Sequence, residues 1–173
     1  MIDESKDDFI FTTHINLGVD ISNLDRIKSN LEAEPSNPDV HISNNTNTWT
    51  LHFDGSMSRE GTGAGCILRF PKGRRTIMAY RLTFECTNNT AKSEALLQGM
   101  RKVIDLKVKQ INFFNDSDII IRQVINIIHC NSGHLKGYQH AVWQLKTFFG
   151  SFEIFVIPRN HNVDVDLLVN VSS

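Results

Sequence analysis

Residues 49–56 read Trp49-Thr-Leu-His-Phe-Asp-Gly-Ser56, a stretch in which apolar and polar side chains alternate. Alternation over this length is typical of a β-strand with one face buried and the other exposed. Asp54 lies on the polar face of this predicted strand, opposite the apolar side chains. The strand therefore has a carboxylate near its C-terminal end, and the elements that follow it decide the fold.

Predicted strands and helices alternate along the rest of the chain. A second strand is predicted in Gly61-Thr-Gly-Ala-Gly-Cys-Ile-Leu-Arg-Phe70, which ends at the turn Pro71-Lys-Gly73, and residues 76–84 predict a third. Apolar residues at helical spacing then predict a helix of about five turns behind the N-cap candidates Thr87, Asn88 and Asn89. The remaining elements are strands at 111–115 and 152–157 and helices at 117–128, 135–149 and 163–171.

This order of elements predicts an α/β fold. Strands one to three pair through hairpins, and the two strands that follow helices are expected to lie parallel to strand one. The expected architecture for residues 48–173 is a mixed five-stranded sheet, three strands antiparallel and two parallel, with helices on both faces. Residues 1–47 are interpreted as an acidic, mostly flexible leader, because Pro35, Pro38 and the polar run Asn44-Asn-Thr-Asn47 interrupt any regular pattern.

Charge is unevenly distributed along the 173 residues. Residues 1–45 contain nine acidic and three basic side chains, whereas residues 46–173 contain fifteen basic and ten acidic ones. A mildly basic body suits a polyanionic partner, and an acidic leader could compete for the same surface. A solvated tail beside a mildly basic domain explains the same numbers equally well. We interpret the basic residues around the turn between strands two and three as a weak nucleic-acid patch: Arg69, Lys72, Arg74 and Arg75.

Cysteine usage and hydropathy restrict the class of protein. Cys66, Cys86 and Cys130 are odd in number and widely separated, which argues for a reducing compartment and against a disulfide framework or a zinc site. No apolar stretch reaches the roughly 18 residues of a membrane span, and no secretory signal is recognisable. We therefore expect an intracellular protein of the nucleus or cytoplasm, monomeric and without membrane contact.

Two aspartates follow predicted strands that we expect to be neighbours in the sheet. Asp54 ends strand one and Asp116 follows strand four, and the carboxyl ends of neighbouring strands form a common ligand-binding edge in α/β sheets. Because crowded carboxylates repel each other, a cation is their natural partner. Each aspartate also has an ordinary structural explanation, since Asp116 could cap the helix that it precedes and Asp54 could pair with an arginine.

Seven short motifs occur in order and at matching intervals: Phe53-Asp-Gly-Ser56, Gly63-Ala-Gly65, Thr87-Asn-Asn89, Asp116-Ser117, Gln123-Val124, Val156-Ile-Pro-Arg159 and Asn162-x-x-x-Asp166. Together they resemble the type 1 ribonuclease H family, most of all the form found in reverse-transcribing retrotransposons. The resemblance covers residues 48–173 and none of the leader. The set is specific, whereas Asp-Gly-Ser alone would be a weak signal.

The resemblance implies a metal-dependent endonuclease that cuts the RNA strand of an RNA–DNA hybrid. In the family, four carboxylates hold two Mg²⁺ ions about 4 Å apart. Three of the four correspond to Asp54, Asp116 and Asp166, which makes them the implied catalytic residues and metal ligands. Substrate contacts are implied for Ser56, Thr87, Asn88 and Asn89, since polar side chains can recognise the 2′-hydroxyls of an A-form-like minor groove.

The fourth carboxylate of the family is a glutamate on the first helix, and the matching position here is Lys92. Glu94 does not replace it, because two residues along a helix rotate the side chain by about 200°. A charged lysine has three N–H donors and no acceptor, so it does not ligate Mg²⁺. We expect the ammonium group to lie among the three aspartates and to exclude at least one metal ion.

Three functions follow as alternatives. The chain could be an active hybrid ribonuclease that uses Mg²⁺ or Mn²⁺, a nucleic-acid-binding pseudo-enzyme without a metal, or a structural or protein-interaction module that kept only the fold. Asn115 replaces a glycine usual in the family, and Val165 and Val169 replace alanines, which also argues for an altered site. We favour a domain of retroelement origin, alone or from a larger polyprotein, that binds hybrid or other nucleic acid with lost or weakened hydrolysis.

Overall fold

The computed structural model describes residues 8–11, 48–84, 86–124 and 133–172. The strands in these ranges are β1 (Asp8–Phe11), β2 (Trp49–Met57), β3 (Thr62–Arg69), β4 (Arg75–Leu82), β5 (Gln110–Asn115) and β6 (Ser151–Val156). The helices are α1 (Asn88–Asp105), α2 (Asp118–Val124), α3 (Gly133–Lys146) and α4 (Val163–Ser172), with a short 3₁₀ turn at Arg159–His161 before α4. Each of the five predicted strands and four predicted helices is therefore present.

The strands form one mixed sheet in the order β1-β4-β3-β2-β5-β6. Neighbours β2, β3 and β4 pair antiparallel as a meander, while β5 lies parallel to β2 and β6 parallel to β5. The predicted arrangement of three antiparallel and two parallel strands is confirmed. Because the crossovers from β2 to β5 and from β5 to β6 contain helices, the parallel pairing follows the usual rule for such connections.

β1 was not predicted, and it lies within residues 1–47, which the sequence led us to interpret as a mostly flexible leader. Asp8–Phe11 pairs in parallel with β4 and adds a sixth strand to the sheet. A run of only three apolar residues after an acidic one is too short for periodicity to identify as a strand. The rest of the predicted leader lies outside the described residues.

Helices cover both faces of the sheet, as predicted. On one face, α1 packs on β2 and β3 and α3 packs on α1, with Leu51, Phe53, Leu96 and Met100 in the buried core. On the other face, α4 covers a smaller apolar cluster: Ile67, Ile77, Ala79, Val165, Leu168 and Val169. The two clusters lie on opposite sides of β3, because successive residues of a strand point to opposite faces.

One helix end differs from its prediction, and another lies outside the described residues. The helix expected at 117–128 is described only as far as Val124, and residues 125–128 lie outside the described ranges. The helix expected at 135–149 ends at Lys146, after which Phe148 and Phe149 donate backbone hydrogen bonds to residues three positions back. This tighter turn lets Phe149 pack edge-on against Phe113, with ring centroids 5.9 Å apart. Nowhere in the described ranges is a helix both long and apolar enough to cross a bilayer.

Candidate acidic site at the ends of β2 and β5

The parallel register of β2 and β5 brings two of the predicted site residues to the same edge of the sheet. His52 pairs with Phe114, so Asp54 and Asp116 each lie two residues beyond a matched pair. Their side chains are only 3% and 9% exposed. Two carboxylates that are this well buried require a compensating group.

That group is Lys92. Its Nζ atom lies 2.9 Å from Oδ1 of Asp54 and 2.9 Å from Oδ1 of Asp116, and the lysine side chain is itself 16% exposed. The ammonium thus bridges two carboxylates that come from different strands. A cation at this position takes up oxygen atoms that a metal ion would need, and it adds a positive charge where a divalent ion would experience repulsion.

Burial and pairing act in opposite directions on these two groups. Burial raises the pKa of Asp54, and although Lys92 and the backbone N–H of Gly55 partly oppose this effect, the pKa stays above its ordinary value. Burial lowers the pKa of Lys92, but the two aspartates outweigh it and raise the pKa overall. Lys92 is therefore charged at neutral pH, and the resulting ammonium is held in place by the carboxylates.

Gly55 allows α1 to approach β2 closely enough for this contact. A Cβ atom on Gly55 would overlap the backbone of Ala91 and Lys92. Helix and strand therefore meet backbone to backbone immediately beside the lysine. The Gly of the Asp-Gly-Ser motif is explained by this close approach, since no other residue lacks a Cβ.

We expect Gly55→Ala to destabilise the fold by about 2–3 kcal/mol, because the added methyl group forces helix and strand apart. Gly137→Ala is the matched control: Gly137 lies in α3 with open space around its Cβ position, so alanine there should be neutral or stabilising by up to about 1 kcal/mol. Urea unfolding of both variants measures the difference. Equal stability of the two variants would contradict the close approach of β2 and α1.

Asp166 is placed differently from the other two aspartates. It lies on α4, where Oδ2 accepts a hydrogen bond from Asn170 at 3.4 Å and Oδ1 lies 3.8 Å from Arg159. Asn170 in turn accepts a hydrogen bond from Ser56 at 3.2 Å, which connects this helix to the end of β2. Among the described residues, the lysine forms ion pairs with the two strand-end carboxylates and not with Asp166. The expectation that the ammonium of Lys92 lies among all three aspartates is therefore wrong for Asp166.

The residues present do not fit a pair of divalent ions. Two of the three carboxylates are bound to an ammonium group, and the third is oriented by an amide and a guanidinium. Within the described ranges, no group of three or more His, Cys, Asp or Glu side chains is arranged so that it could hold a metal ion. Glu94 does not contribute, since its carboxylate accepts a hydrogen bond from Gln98 at 2.7 Å and interacts with Tyr138, as its position along the helix predicted.

Two buried asparagines fix the backbone beside Asp54. Asn115, fully buried, donates through Nδ2 to the carbonyl oxygen of Phe53 at 2.5 Å and accepts the N–H of Ser117 at 2.8 Å. Asn162 donates to the same carbonyl at 3.3 Å. A glycine at position 115 could not form this link, so the change from the family pattern has a structural use. From the sequence, Asn115 was recognised only as a departure from the family pattern, and neither Asn115 nor Asn162 was predicted to be a positioning residue.

The Thr87-Asn-Asn89 segment begins α1 and borders an open groove. Thr87 caps the helix by accepting the N–H of Thr90 at 3.2 Å, and Asn88 accepts the N–H of Met57 at 2.7 Å. Thr87 and Asn89 line a groove of about 1300 Å³, whose other walls include Phe84 and Tyr138. The capping and strand contacts show that Thr87 and Asn88 have structural roles, and Thr87 and Asn89 are the two residues of the segment that line the groove.

The predicted basic patch at the β3–β4 turn is partly occupied by internal contacts. Arg69 pairs with Asp164 at 3.0 Å and approaches Nδ1 of His52 at 3.3 Å. Arg74 is 9% exposed and lies over the ring of Phe70, 4.7 Å from its centroid. Burial and the charge of Arg69 lower the pKa of His52 to about 3, so this histidine is neutral at physiological pH. The patch is therefore smaller than the sequence suggested.

Comparison with known proteins places the chain in a family. The sequence profile described as reverse transcriptase-like matches residues 52–172, which is more than half of the chain. The chain belongs to this family and is an RNase H-like domain. A search of curated proteins finds no significant match.

Solved structures with the same fold include several RNases H. RNase H1 from the halophilic archaeon Halobacterium salinarum superimposes with a TM-score of 0.68 at 23% identity, covering 72% of this chain and 96% of that one. LC11-RNase H1, isolated from compost by a metagenomic approach, gives 0.67 at 24% identity, covering 73% and 95%. LC11-RNase H1 in complex with an RNA/DNA hybrid gives 0.63 at 22% identity, covering 71% and 94%. At these identities, the likeness establishes the RNase H-like fold and nothing finer.

Proposed function

We propose that this chain is a nucleic-acid-binding RNase H-like domain of retroelement origin whose hydrolysis of RNA–DNA hybrids is lost or strongly weakened. The observation that supports the loss is the ammonium of Lys92, which lies 2.9 Å from one oxygen of each of Asp54 and Asp116. In an active relative these oxygens would hold divalent ions. Here one ammonium of the chain itself offsets part of the negative charge of the two carboxylates.

The magnitude of the electrostatic effect favours loss over modest weakening. Replacing a carboxylate by an ammonium changes the local charge by two units, and each unit pair at 4 Å is worth about 4 kcal/mol at an effective dielectric constant of 20. A metal ion would have to displace an amine that both carboxylates hold in its charged form. We therefore propose that the unmodified chain uses neither Mg²⁺ nor Mn²⁺, and that Asp54, Asp116 and Asp166 are remnants of a catalytic set.

Binding of nucleic acid does not require the metal pocket. We propose that a hybrid lies along the groove beside Thr87 and Asn89, with Ser56 and Asn88 at its end near the acidic site. LC11-RNase H1, which has the same fold, has been solved with an RNA/DNA hybrid, and this supports the choice of ligand. We also propose that the protein is intracellular, which the two free thiols in the described ranges support, and that it is a monomer.

Binding of a labelled RNA–DNA hybrid, measured by fluorescence anisotropy with a chelator present, tests this proposal. We expect the hybrid to bind more tightly than a DNA duplex of the same sequence, and the affinity to fall as salt rises because phosphate contacts release counterions. Asn89→Ala should weaken hybrid binding about five- to tenfold, the effect of one lost hydrogen bond. Asn112→Ala, on β5 and outside the groove, is the matched control and should bind like the unmodified chain.

Two outcomes would contradict the proposal. Equal loss in both asparagine variants would place the binding surface elsewhere. Absence of salt-sensitive binding to any nucleic acid would favour the alternative of a structural or protein-interaction module that retains only the fold.

A further inference from the structure

The two edges of the sheet differ in exposure. β6 forms one edge, and its Phe155 and Val156 are 40% and 46% exposed. Without β1, β4 would be the opposite edge strand of the sheet. The side chains of its residues 76–79 are at most 4% exposed. These are the four residues that pair with β1, from Thr76 opposite Asp8 to Ala79 opposite Phe11. Packing on the two faces of the sheet buries these side chains, and it buries Tyr80 and Leu82 beyond the β1 ladder to 5% as well. The backbone edge of β4 is closed by its pairing with β1, whereas the β6 edge presents apolar side chains to solvent.

Charge is complementary at one end of this pairing. The parallel register places Asp8 opposite Thr76, the neighbour of Arg75. Three acidic residues, Asp3, Glu4 and Asp7, and one basic residue, Lys6, precede Asp8 in the sequence. The turn from which β4 begins contributes the basic residues Lys72 and Arg75. An antiparallel strand would carry its acidic start toward the opposite end of β4, where Arg81 is the one basic residue of that end. Opposite charges favour the direction observed.

We propose that the β4 edge is a docking site for a short apolar strand with an acidic N-terminal flank, which the chain's own residues 8–11 occupy reversibly. An exposed strand edge offers unpaired N–H and C=O groups to such a segment, as in other cases of strand addition. The ladder has only four residue pairs, and each hydrogen bond contributes about 1 kcal/mol net, so the strand can be released without unfolding the sheet. Residues 12–48 separate it from β2 in sequence. The docking does not depend on nucleic-acid binding.

Hydrogen–deuterium exchange on the full chain tests whether residues 8–11 occupy the β4 edge. A Phe9→Pro and Ile10→Pro double variant removes two adjacent N–H groups, one of which faces β4 whichever way the ladder alternates. We expect the amides of residues 76–79 to exchange at least about tenfold faster in this variant, while those of β3 keep their protection. An Ile15→Pro and Asn16→Pro double variant, beyond the β1 ladder, is the matched control and should leave β4 unchanged.

A peptide of residues 1–13 then tests the site and its charge preference. We expect the labelled peptide to bind the Phe9→Pro and Ile10→Pro variant at least about tenfold more tightly than the unmodified chain, whose edge is already filled. Neutralising its four side-chain carboxylates, by Asp→Asn at 3, 7 and 8 and Glu→Gln at 4, should weaken binding at least about tenfold. Raising the salt concentration from about 0.05 to about 0.5 M should lower the affinity of the acidic peptide more than that of the neutralised peptide.

Three results would overturn the proposal. The first is unchanged exchange of the amides of residues 76–79 in the variant with prolines at 9 and 10. The second is equal affinity of the peptide for this variant and for the unmodified chain. The third is equal affinity of the acidic and the neutralised peptides for the variant. Should the proline variant unfold, exchange would rise in β3 as well. In that case the full chain with the same four residues neutralised replaces the proline variant. We expect its amides to exchange faster than those of the unmodified chain in β4 alone, and unchanged exchange would contradict the proposal.

Discussion

The Lys92→Glu variant is expected to cut the RNA strand of an RNA–DNA hybrid in Mg²⁺ or Mn²⁺, whereas the unmodified chain should leave it intact. The substitution removes the ammonium that bridges Asp54 and Asp116 and supplies the missing carboxylate at the same helix position. We expect the variant to cleave at least about 100-fold faster than the unmodified chain, because a two-unit change of charge beside the ions is worth several kcal/mol. Gel analysis of a labelled hybrid measures it.

Two controls separate loss of the cation from gain of a ligand. Lys92→Met removes the charge without adding an oxygen, so it should show little of the cleavage of Lys92→Glu. Adding Asp54→Asn to Lys92→Glu should abolish the regained activity, which excludes a contaminating nuclease. Comparable cleavage by the unmodified chain would end the proposal of a blocked site. A silent Lys92→Glu variant would show that Asn115, Val165 and Val169 also disturb the metal pocket.

Strand order and helix positions could be predicted because they depend on local patterns. The alternation in β2, the turn at 71–73 and the N-cap at Thr87 each leave a signal within a few residues of sequence. The parallel placement of β5 and β6 followed from the helices between the strands. β1 could not be predicted in this way, because a four-residue strand is identified by the edge on which it docks and not by its own pattern.

The convergence of Asp54, Asp116 and Lys92 could be predicted from the sequence, whereas the surroundings of Asp166 could not. The offset of five residues from Thr87 identified Lys92, and the parallel register of β2 and β5 brought Asp54 and Asp116 to its amine. The orientation of Asp166 depends on Arg159 and Asn170, whose contacts arise only after α4 packs on the sheet. The spacing of residues in the sequence does not predict such tertiary contacts. The roles of Asn115 and Asn162 could not be predicted for the same reason.

Val169 illustrates how a departure from a family pattern is accommodated. Its Cγ2 atom lies 3.1 Å from the position that a Cβ on Gly65 would take, and Leu168 is as close. The absence of a side chain at Gly65 therefore leaves room for the larger valine on α4. The valine adds to the buried cluster on this face of the sheet, so its presence is explained by packing as well as by any effect on the acidic site.

Lys92→Met should destabilise the fold by about 3–5 kcal/mol at neutral pH, because two nearly buried carboxylates lose their counter-ion. The pKa of Asp54 is already raised, and its pairing with Lys92 is one of the effects that hold it down. Without the lysine it should rise further, so the variant gains stability relative to the unmodified chain as pH falls and Asp54 takes up a proton. Urea unfolding between about pH 5 and pH 8 measures this trend.

The alkaline side provides the opposite test. The pKa of Lys92 is raised on folding, so its contribution to the free energy of unfolding is complete below pH 10.5 and disappears as the pH rises through the pKa of the folded state. The stabilities of the unmodified chain and the Lys92→Met variant should therefore converge at high pH. Arg122→Met is the matched control, since Arg122 pairs with Asp118 at 2.7 Å on the surface, with both side chains at least half exposed. It should change stability by less than about 1 kcal/mol at any pH. A Lys92→Met variant as stable as this control, with the same pH dependence, would mean that the amine does not hold the two aspartates together, and the explanation for lost hydrolysis would fail with it.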